Sequence, residues 1–236
     1  MRIKLIFMKN LVVLTGAGIS QESGIKTFRG GNGLWDEHKI EDVADIRGWN
    51  KNPELVLDFY NKRRKELEKV EPNQAHKILV ELEQYFNVYV ITTNVDNLHE
   101  RAGSKNVLHI HGELTKVRGV SNNQYIKDIG YTTINIGDTC PKGSQLRPHI
   151  VWFGEDVPKL HDAIVTTRKS DIFVIIGTSL QVYPAASLLE YIQPLVPVYM
   201  IDPNPTKSPY IMDINYIEDK AVKGTELLST ILKTKI

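Results

Sequence analysis

The residues of this chain best suited to chemistry fall in four short stretches. His111-Gly112-Glu113 sets a histidine against a glycine, so the backbone turns at the imidazole and directs it to a cleft rather than a packed interior. With an ordinary pKa of about 6.5, that imidazole is a competent general base near neutral pH. Read alone, His111 is also compatible with a structural role, as one of seven histidines. Asn94-Val95-Asp96 places two short polar side chains just past an apolar run, where they can cap a helix, line a polar pocket, or both. Gly16-Ala17-Gly18-Ile19-Ser20 directly follows Leu11-Val12-Val13-Leu14-Thr15, the order of a buried strand breaking into a glycine turn and a helix. Such a turn lets the backbone approach a phosphate while the helix start presents its N–H groups to it. Gly177-Thr178-Ser179 adds a second close-approach glycine with two hydroxyls.

These groups need strands that end at one place. Leu11–Leu14, Val88–Thr92, Ile172–Ile176 and Val196–Ile201 are short runs of branched residues, each followed by a polar or glycine-rich loop. Helical patterns separate them, which predicts an α/β fold, a Rossmann-like doubly wound parallel sheet. Ligands bind such sheets at the carboxyl ends of the strands, and Gly16, Asn94, Gly177 and Asp202 all fall there. Two segments break the alternation. Phe28–Pro72 is helical and aromatic, with Pro53-Glu54 opening a pattern through Val56, Phe59, Tyr60 and Leu67. Lys116–Gln145 is polar, with Thr132-Thr133-Ile134-Asn135-Ile136 as its expected strand. The expectation is a single unit: a large lobe of approximately 9–27, 73–115 and 146–236, and a smaller inserted lobe of approximately 28–72 and 116–145, with a cleft between them.

Bulk properties narrow the function. The 236 residues are 42% hydrophobic and 24% charged, an ordinary globular composition, and a net charge of +1 gives no reason to expect nucleic acid or a membrane as partner. A single cysteine rules out an intramolecular disulfide framework and suits a cytoplasmic protein. Met1–Met8 is too short and charged for a signal peptide, and Met8 is a second candidate start. The glycine turn also departs from the usual dinucleotide fingerprint, which wants an acidic residue about 20 positions on. Here the chain runs into the loop Lys26-Thr27-Phe28-Arg29-Gly30-Gly31-Asn32-Gly33-Leu34-Trp35, which points away from dehydrogenases.

Five motifs in register, Leu14–Ile25, Thr92–Gly103, His109–Leu114, Leu146–Glu155 and Ile176–Ala185, resemble the sirtuins, NAD-dependent protein-lysine deacylases. The resemblance covers nearly the whole chain. It implies NAD as a consumed co-substrate and acylated-lysine proteins or peptides as partners; oligomeric state stays open. By the family mechanism the acyl oxygen displaces nicotinamide at the ribose, and His111 then deprotonates a ribose hydroxyl that attacks the resulting alkylimidate. Asn94 and Asp96 join His111 as catalytic residues lining the nicotinamide pocket. The cofactor contacts implied are Gly16, Ala17, Gly18, Ser20, Gly24 and Thr27 in the first turn, and Phe28, Arg29 and Trp35 in the loop after it. Thr93 to Asp96 (through Val95), Gly177, Thr178 and Ser179 follow, with Asp202, Pro203, Asn204 and Ala221 toward the adenosine. Read without the family, Phe28 is equally an anchor for its loop. Val151, Trp152, Phe153, Gly154 and Glu155 correspond to the segment that pairs with the substrate backbone.

Three departures stand out. Thr93 replaces the family's glutamine and Asp202 its asparagine. Of the two cysteine pairs that commonly hold a structural zinc, only Cys140 is present, with Gly119 and Gly143 at matching positions; one thiolate cannot close a tetrahedral site, so no structural zinc is expected. Finally, Tyr60 and Arg63 lie one helical turn apart, and a phenol beside a guanidinium can bind a carboxylate. The neighbouring Lys62, Arg64 and Lys65 also allow a solvated basic helix end. Sirtuins that remove succinyl and malonyl groups carry this Tyr-x-x-Arg pair with a small alanine ahead of it, matched here by Ala44. The competing functional classes are an NAD glycohydrolase or ADP-ribosyltransferase, and a non-catalytic acyl-lysine reader.

Overall fold

The computed structural model describes residues 8–27, 39–206 and 213–234. Along the chain run β1 (Asn10–Thr15), α1 (Ala17–Gln21), α2 (Ile40–Val43), α3 (Ile46–Lys51), α4 (Pro53–Glu68), α5 (Gln74–Leu82) and β2 (Asn87–Thr92). Then come α6 (Leu98–Ala102), β3 (Val107–His109), β4 (Gly112–Gly119), β5 (Ile126–Asp128), β6 (Leu146–Ile150), α7 (Leu160–Arg168) and β7 (Ile172–Ile176). A 3₁₀ helix (Ala185–Tyr191), β8 (Val198–Ile201), β9 (Ile214–Ile217) and α8 (Ala221–Lys233) complete the described elements.

Six strands form one parallel sheet in the order β3-β2-β1-β7-β8-β9. Alternate residues of each strand feed opposite cores. Leu11, Val13, Val88, Val90, Val174 and Ile176 pack under α5 and α8 with Leu79, Leu82, Leu228 and Leu232. Val12, Leu14, Ile91, Phe173 and Ile175 face Ala163 of α7 and Leu188 and Leu189 of the 3₁₀ helix. Burial on both faces explains why these strands read as unbroken apolar runs. The strand order reverses between β1 and β7, and the glycine turns after both strands meet there. No helix among the described residues is long and apolar enough to cross a membrane.

The second sheet is antiparallel, β5-β4-β6. It draws on Gly112–Gly119 and Leu146–Ile150, on either side of the polar insertion, and shares a core with α4 through Val56, Leu114, Val117, Ile134, Ile150 and Trp152. The strand expected over Thr132–Ile136 is not one. Ile134 is buried in extended chain, but its N–H donates to Asn61 Oδ1 at 2.9 Å and its carbonyl accepts from Asn61 Nδ2 at 2.8 Å. One side-chain amide on α4 takes the place of a partner strand. The basic stretch of α4 also turns inward: Arg64 is fully buried, its Nε donating to the Leu114 carbonyl at 2.8 Å and Nη1 to Asn61 Oδ1 at 2.6 Å. Burial lowers its pKa to about 10. That excludes the solvated helix end for this residue.

Around Cys140 the backbone closes on itself through hydrogen bonds. The Cys140 N–H donates to the Ser144 carbonyl at 2.9 Å, the Ser121 N–H donates to Ser144 Oγ at 2.9 Å, and Gln145 bridges the Gly137 N–H to the Asn135 carbonyl. Among the described residues, no group of three or more His, Cys, Asp or Glu is placed to hold a metal ion. Elemental analysis of untagged protein is expected to find no stoichiometric zinc, and a chelator is expected to leave the unfolding midpoint unchanged. About one zinc per chain, or unfolding by chelator, would overturn this. A second prediction concerns Gly112, which has a φ of +84°, and whose Cβ, if present, would collide with the His149 carbonyl of β6. Gly112→Ala is expected to cost about 2 kcal/mol or more in denaturant unfolding, from left-handed strain plus overpacking. A loss under about 0.5 kcal/mol would show that β4 relaxes away freely.

Candidate active site

The floor of the site is backbone. The Gly16 N–H donates to the Ile176 carbonyl at 3.0 Å and the Gly18 N–H to the Gly177 carbonyl at 2.9 Å. A Cβ on Gly18 would lie 2.5 Å from Gly177 Cα, so only glycine lets the two turns touch. Above this floor the cleft holds a cavity of about 530 Å³. It gathers Gly16, Ala17, Gly18, Thr27, Thr93, Val95 and His111 from the β1, β2 and β3 ends, with Gly177, Thr178, Ser179, Asp202, Pro203, Asn204 and Ala221 from the other half of the sheet. On the small-sheet side it is walled by Ala44, Tyr60, Arg63 and Val151 to Glu155. Ser20, Gly24, Asn94 and Asp96 line an adjoining cavity of about 200 Å³, which shares Ala17, Val95 and Arg63 with the first. Phe28, Arg29 and Trp35 lie outside the described residues.

His111 sits where β3 gives way to β4. Burial lowers its pKa, opposed by a hydrogen bond to the Thr93 carbonyl. With one ring nitrogen donating to that carbonyl, the other is an acceptor, as a general base requires. The imidazole is therefore neutral at physiological pH.

The polar end of the smaller cavity is tightly wired. Asn94 Nδ2 donates to the Gly16 carbonyl at 3.0 Å and to Ser20 Oγ at 3.2 Å, and Ser20 Oγ donates to Asp96 Oδ2 at 2.9 Å. Asp96 Oδ1 accepts the Leu98 N–H at 3.1 Å, so the residue just before the Asn97 N-cap holds the first N–H of α6 and faces the cavity at once. Burial pushes the Asp96 carboxyl up, against the pull of the Leu98 and Ser20 bonds and of the His109 charge.

His109 is a residue the sequence reading passed over. Its Nδ1 lies 2.9 Å from the Asn94 carbonyl and its Nε2 2.8 Å from Glu100 Oε1. Both partners are acceptors, and only the imidazolium donates to both. Burial disfavours that charge, but the Glu100 hydrogen bond and charge outweigh it and raise the pKa. The signal is the first histidine of His109-Ile110-His111, but the sequence gives no way to tell which partner each ring would meet. Val182, Tyr183 and Pro184 also line the large cavity and were not singled out; they follow the Gly177 turn directly.

The wall on the small-sheet side is aromatic and cationic. Tyr60 and Arg63 of α4 are nearly buried, and burial pushes the Tyr60 phenol up to about 12. Trp152 Nε1 donates to the Tyr60 hydroxyl at 2.9 Å. The segment Val151–Glu155 is only partly a free edge. The Val151 N–H donates to the His111 carbonyl, the Phe153 N–H to the Ala44 carbonyl, and the Ile46 N–H to the Phe153 carbonyl, at 2.9, 2.9 and 3.1 Å. Glu155 binds Arg147 and Arg118 at 2.7 and 2.8 Å, and burial of its carboxyl is outweighed by these bonds, so its pKa is lowered. Phe153 (44% exposed) and Tyr183 (59%) flank the mouth.

Comparison with known proteins agrees with this geometry. The chain matches the Sir2 family model over residues 16–184. A protein from Bacteroides thetaiotaomicron, named NAD-dependent protein deacylase, is 53% identical over 230 residues, covering 95% of this chain and 98% of that one. Among solved structures, a mutant Sir2 homologue in complex with ADP-ribose superposes with a TM-score of 0.88 at 37% identity, covering 100% of this chain and 98% of the other. A Sir2 homologue–NAD complex gives 0.86 at 39% identity, covering 97% and 91%. Family match, relative and structural neighbours agree over nearly the whole length, and the chain belongs to the Sir2 family.

Proposed function

We propose that this chain is an NAD-dependent protein-lysine deacylase that removes acetyl groups and, in addition, succinyl and malonyl groups, releasing nicotinamide and O-acyl-ADP-ribose. The observation that carries the reading is one cavity lined together by His111, the touching glycine turns and Ala44, Tyr60 and Arg63. Relatives named NAD-dependent protein deacylase and neighbours solved with NAD or ADP-ribose support the cofactor and reaction class. The residues fit the cofactor: a glycine floor open to a pyrophosphate, hydroxyls at Thr178 and Ser179, and a polar pocket of Asn94, Ser20 and Asp96 suited to a carboxamide. NAD supplies a ribose carbon whose bond to nicotinamide breaks as an acyl oxygen takes its place.

The chain's own residues do the rest. Asn94, Ser20 and Asp96 hold the leaving group through a network already fixed before binding, so no reorganisation is needed at the reaction. The His111 nitrogen facing the cavity takes the proton of a ribose hydroxyl, while the Thr93 carbonyl keeps the ring oriented. Arg63 and the neutral Tyr60 phenol offer charge-assisted bonds to the distal carboxylate of a succinyl or malonyl chain, and Ala44 leaves room for it. Acylated-lysine proteins or peptides are the partners, held by backbone at the Phe153–Glu155 mouth. That mouth has no use in a pure NAD glycohydrolase. The single cysteine suits a cytoplasmic setting.

His111→Ala is expected to lower deacylation at least ~10²-fold, read as nicotinamide release with an acyl-lysine peptide; unchanged turnover would remove the base assignment. Because the neutral imidazole is the active form and burial lowers its pKa, activity should fall only as pH drops through that lowered value. The acid limb of kcat/KM is therefore expected below the ordinary histidine value of about 6.5 and absent from the variant's residual activity. For acyl selectivity, Arg63→Met should raise the KM for succinyl-lysine at least ~10-fold more than that for acetyl-lysine, the scale of one charge-assisted hydrogen bond. Equal losses on both substrates would make Arg63 structural.

A further inference from the structure

The bond between Trp152 and Tyr60 has a fixed direction. An indole N–H donates and never accepts, so the Tyr60 oxygen is the acceptor, at 2.9 Å. The phenol proton must then point elsewhere. Burial pushes the phenol up to about 12, so that proton is retained across the working range. No acceptor for it is found among the described residues, and Tyr60 lines the cavity beside Arg63.

The indole is itself held on several sides. The Arg147 guanidinium lies 3.4 Å from the Trp152 ring centroid, and Trp49 packs at 5.5 Å. Arg147 Nη1 and Nη2 donate to Glu155 Oε1 and Oε2 at 2.7 and 2.9 Å, and Nη2 also donates to the Ile150 carbonyl at 3.0 Å. The Trp152 backbone N–H donates to Glu155 Oε2 at 2.9 Å. A single carboxylate thus fixes the tryptophan through its backbone and, by way of Arg147, through its ring.

We propose that Trp152 is a positioning residue for acyl selectivity: by occupying a lone pair of the Tyr60 oxygen, it turns the phenol proton into the cavity toward an acyl group that ends in a carboxylate. The inference rests on the reading of Tyr60 and Arg63 as the carboxyl-acyl site. An acetyl group offers no distal acceptor to that proton, so the effect of Trp152 appears as a ratio between substrates.

The test compares kcat/KM for succinyl-lysine and acetyl-lysine versions of one peptide in wild type, Trp152→Phe, Tyr60→Phe and the double variant. Phenylalanine keeps the stack on Arg147 and Trp49 and deletes only the N–H and part of the ring. The succinyl-to-acetyl ratio is expected to fall about threefold to tenfold in Trp152→Phe, the span of one neutral hydrogen bond. In the Tyr60→Phe background the second substitution should lower it no further, since the two residues act as one unit. A ratio lowered by Tyr60→Phe and untouched by Trp152→Phe overturns the role of Trp152 and leaves the acyl reading standing. Equal loss on both peptides makes Trp152 a packing residue and also overturns the proposal. A ratio indifferent to both Tyr60→Phe and Arg63→Met sinks the acyl reading and the proposal together. Should Trp152→Phe fail to fold, the wild-type chain gives a second readout through the indole N–H resonance of Trp152. Donation by Tyr60 to a carboxylate strengthens its oxygen as an acceptor, so a succinyl-lysine peptide should move that resonance downfield and an acetyl-lysine peptide should not. Identical responses to the two peptides would overturn the proposal.

Discussion

Everything at this site is referred to one contact, the meeting of the Gly16–Gly18 turn with Gly177. Two strands adjacent in a parallel sheet end side by side, and their turns touch through backbone atoms because neither carries a Cβ there. From that contact a series of main-chain bonds leads outward. The Thr93 N–H donates to the Thr15 carbonyl, the Ile110 N–H to the Thr92 carbonyl, the Leu114 N–H to the Val95 carbonyl and the Val151 N–H to the His111 carbonyl. His111 and both ends of the Thr93–Val95 turn take part in this series. Hydrogen bonds of this kind tolerate wide sequence change in the side chains around them, since the main chain supplies both partners.

The same logic decides what a sequence reader can see. Strands buried on both faces announce themselves, and β1, β2, β7 and β8 were legible, as was the crowding of glycine and polar residues at their ends. β3 and β9 were not, being three and four residues long with partly exposed faces. Thr132–Ile136 has the composition of a strand, yet the Asn61 amide meets Ile134 in place of a neighbour, and no local pattern reveals a partner 73 positions away. The run Lys62-Arg63-Arg64-Lys65 looks like a solvated face until tertiary contacts turn two of its members inward, Arg64 to the Leu114 carbonyl and Arg63 to the cavity wall. His111 and His109 are the same residue type two positions apart. Chemistry separates them: one is buried beside a carbonyl and stays neutral, the other is clasped by a carboxylate and takes a proton.

The small sheet is cross-linked by side chains as well as by strand pairing. Ser121, Ser144, Gln145 and Asn61 bring distant loops together by many weak hydrogen bonds. Such a region has no single point of failure.

The short parallel bridge between Asp45 and Phe153 has a consequence beyond holding two loops together. On one side of it stands Ala44, whose carbonyl receives the Phe153 N–H and which lines the cavity; on the other stands Phe153 at the exposed rim of the same cavity. Pocket depth and rim position are therefore inherited as one piece. Any shift of the backbone at residue 44 passes through these main-chain bonds to Phe153, so the inner and outer parts of this wall move together rather than as separate parts.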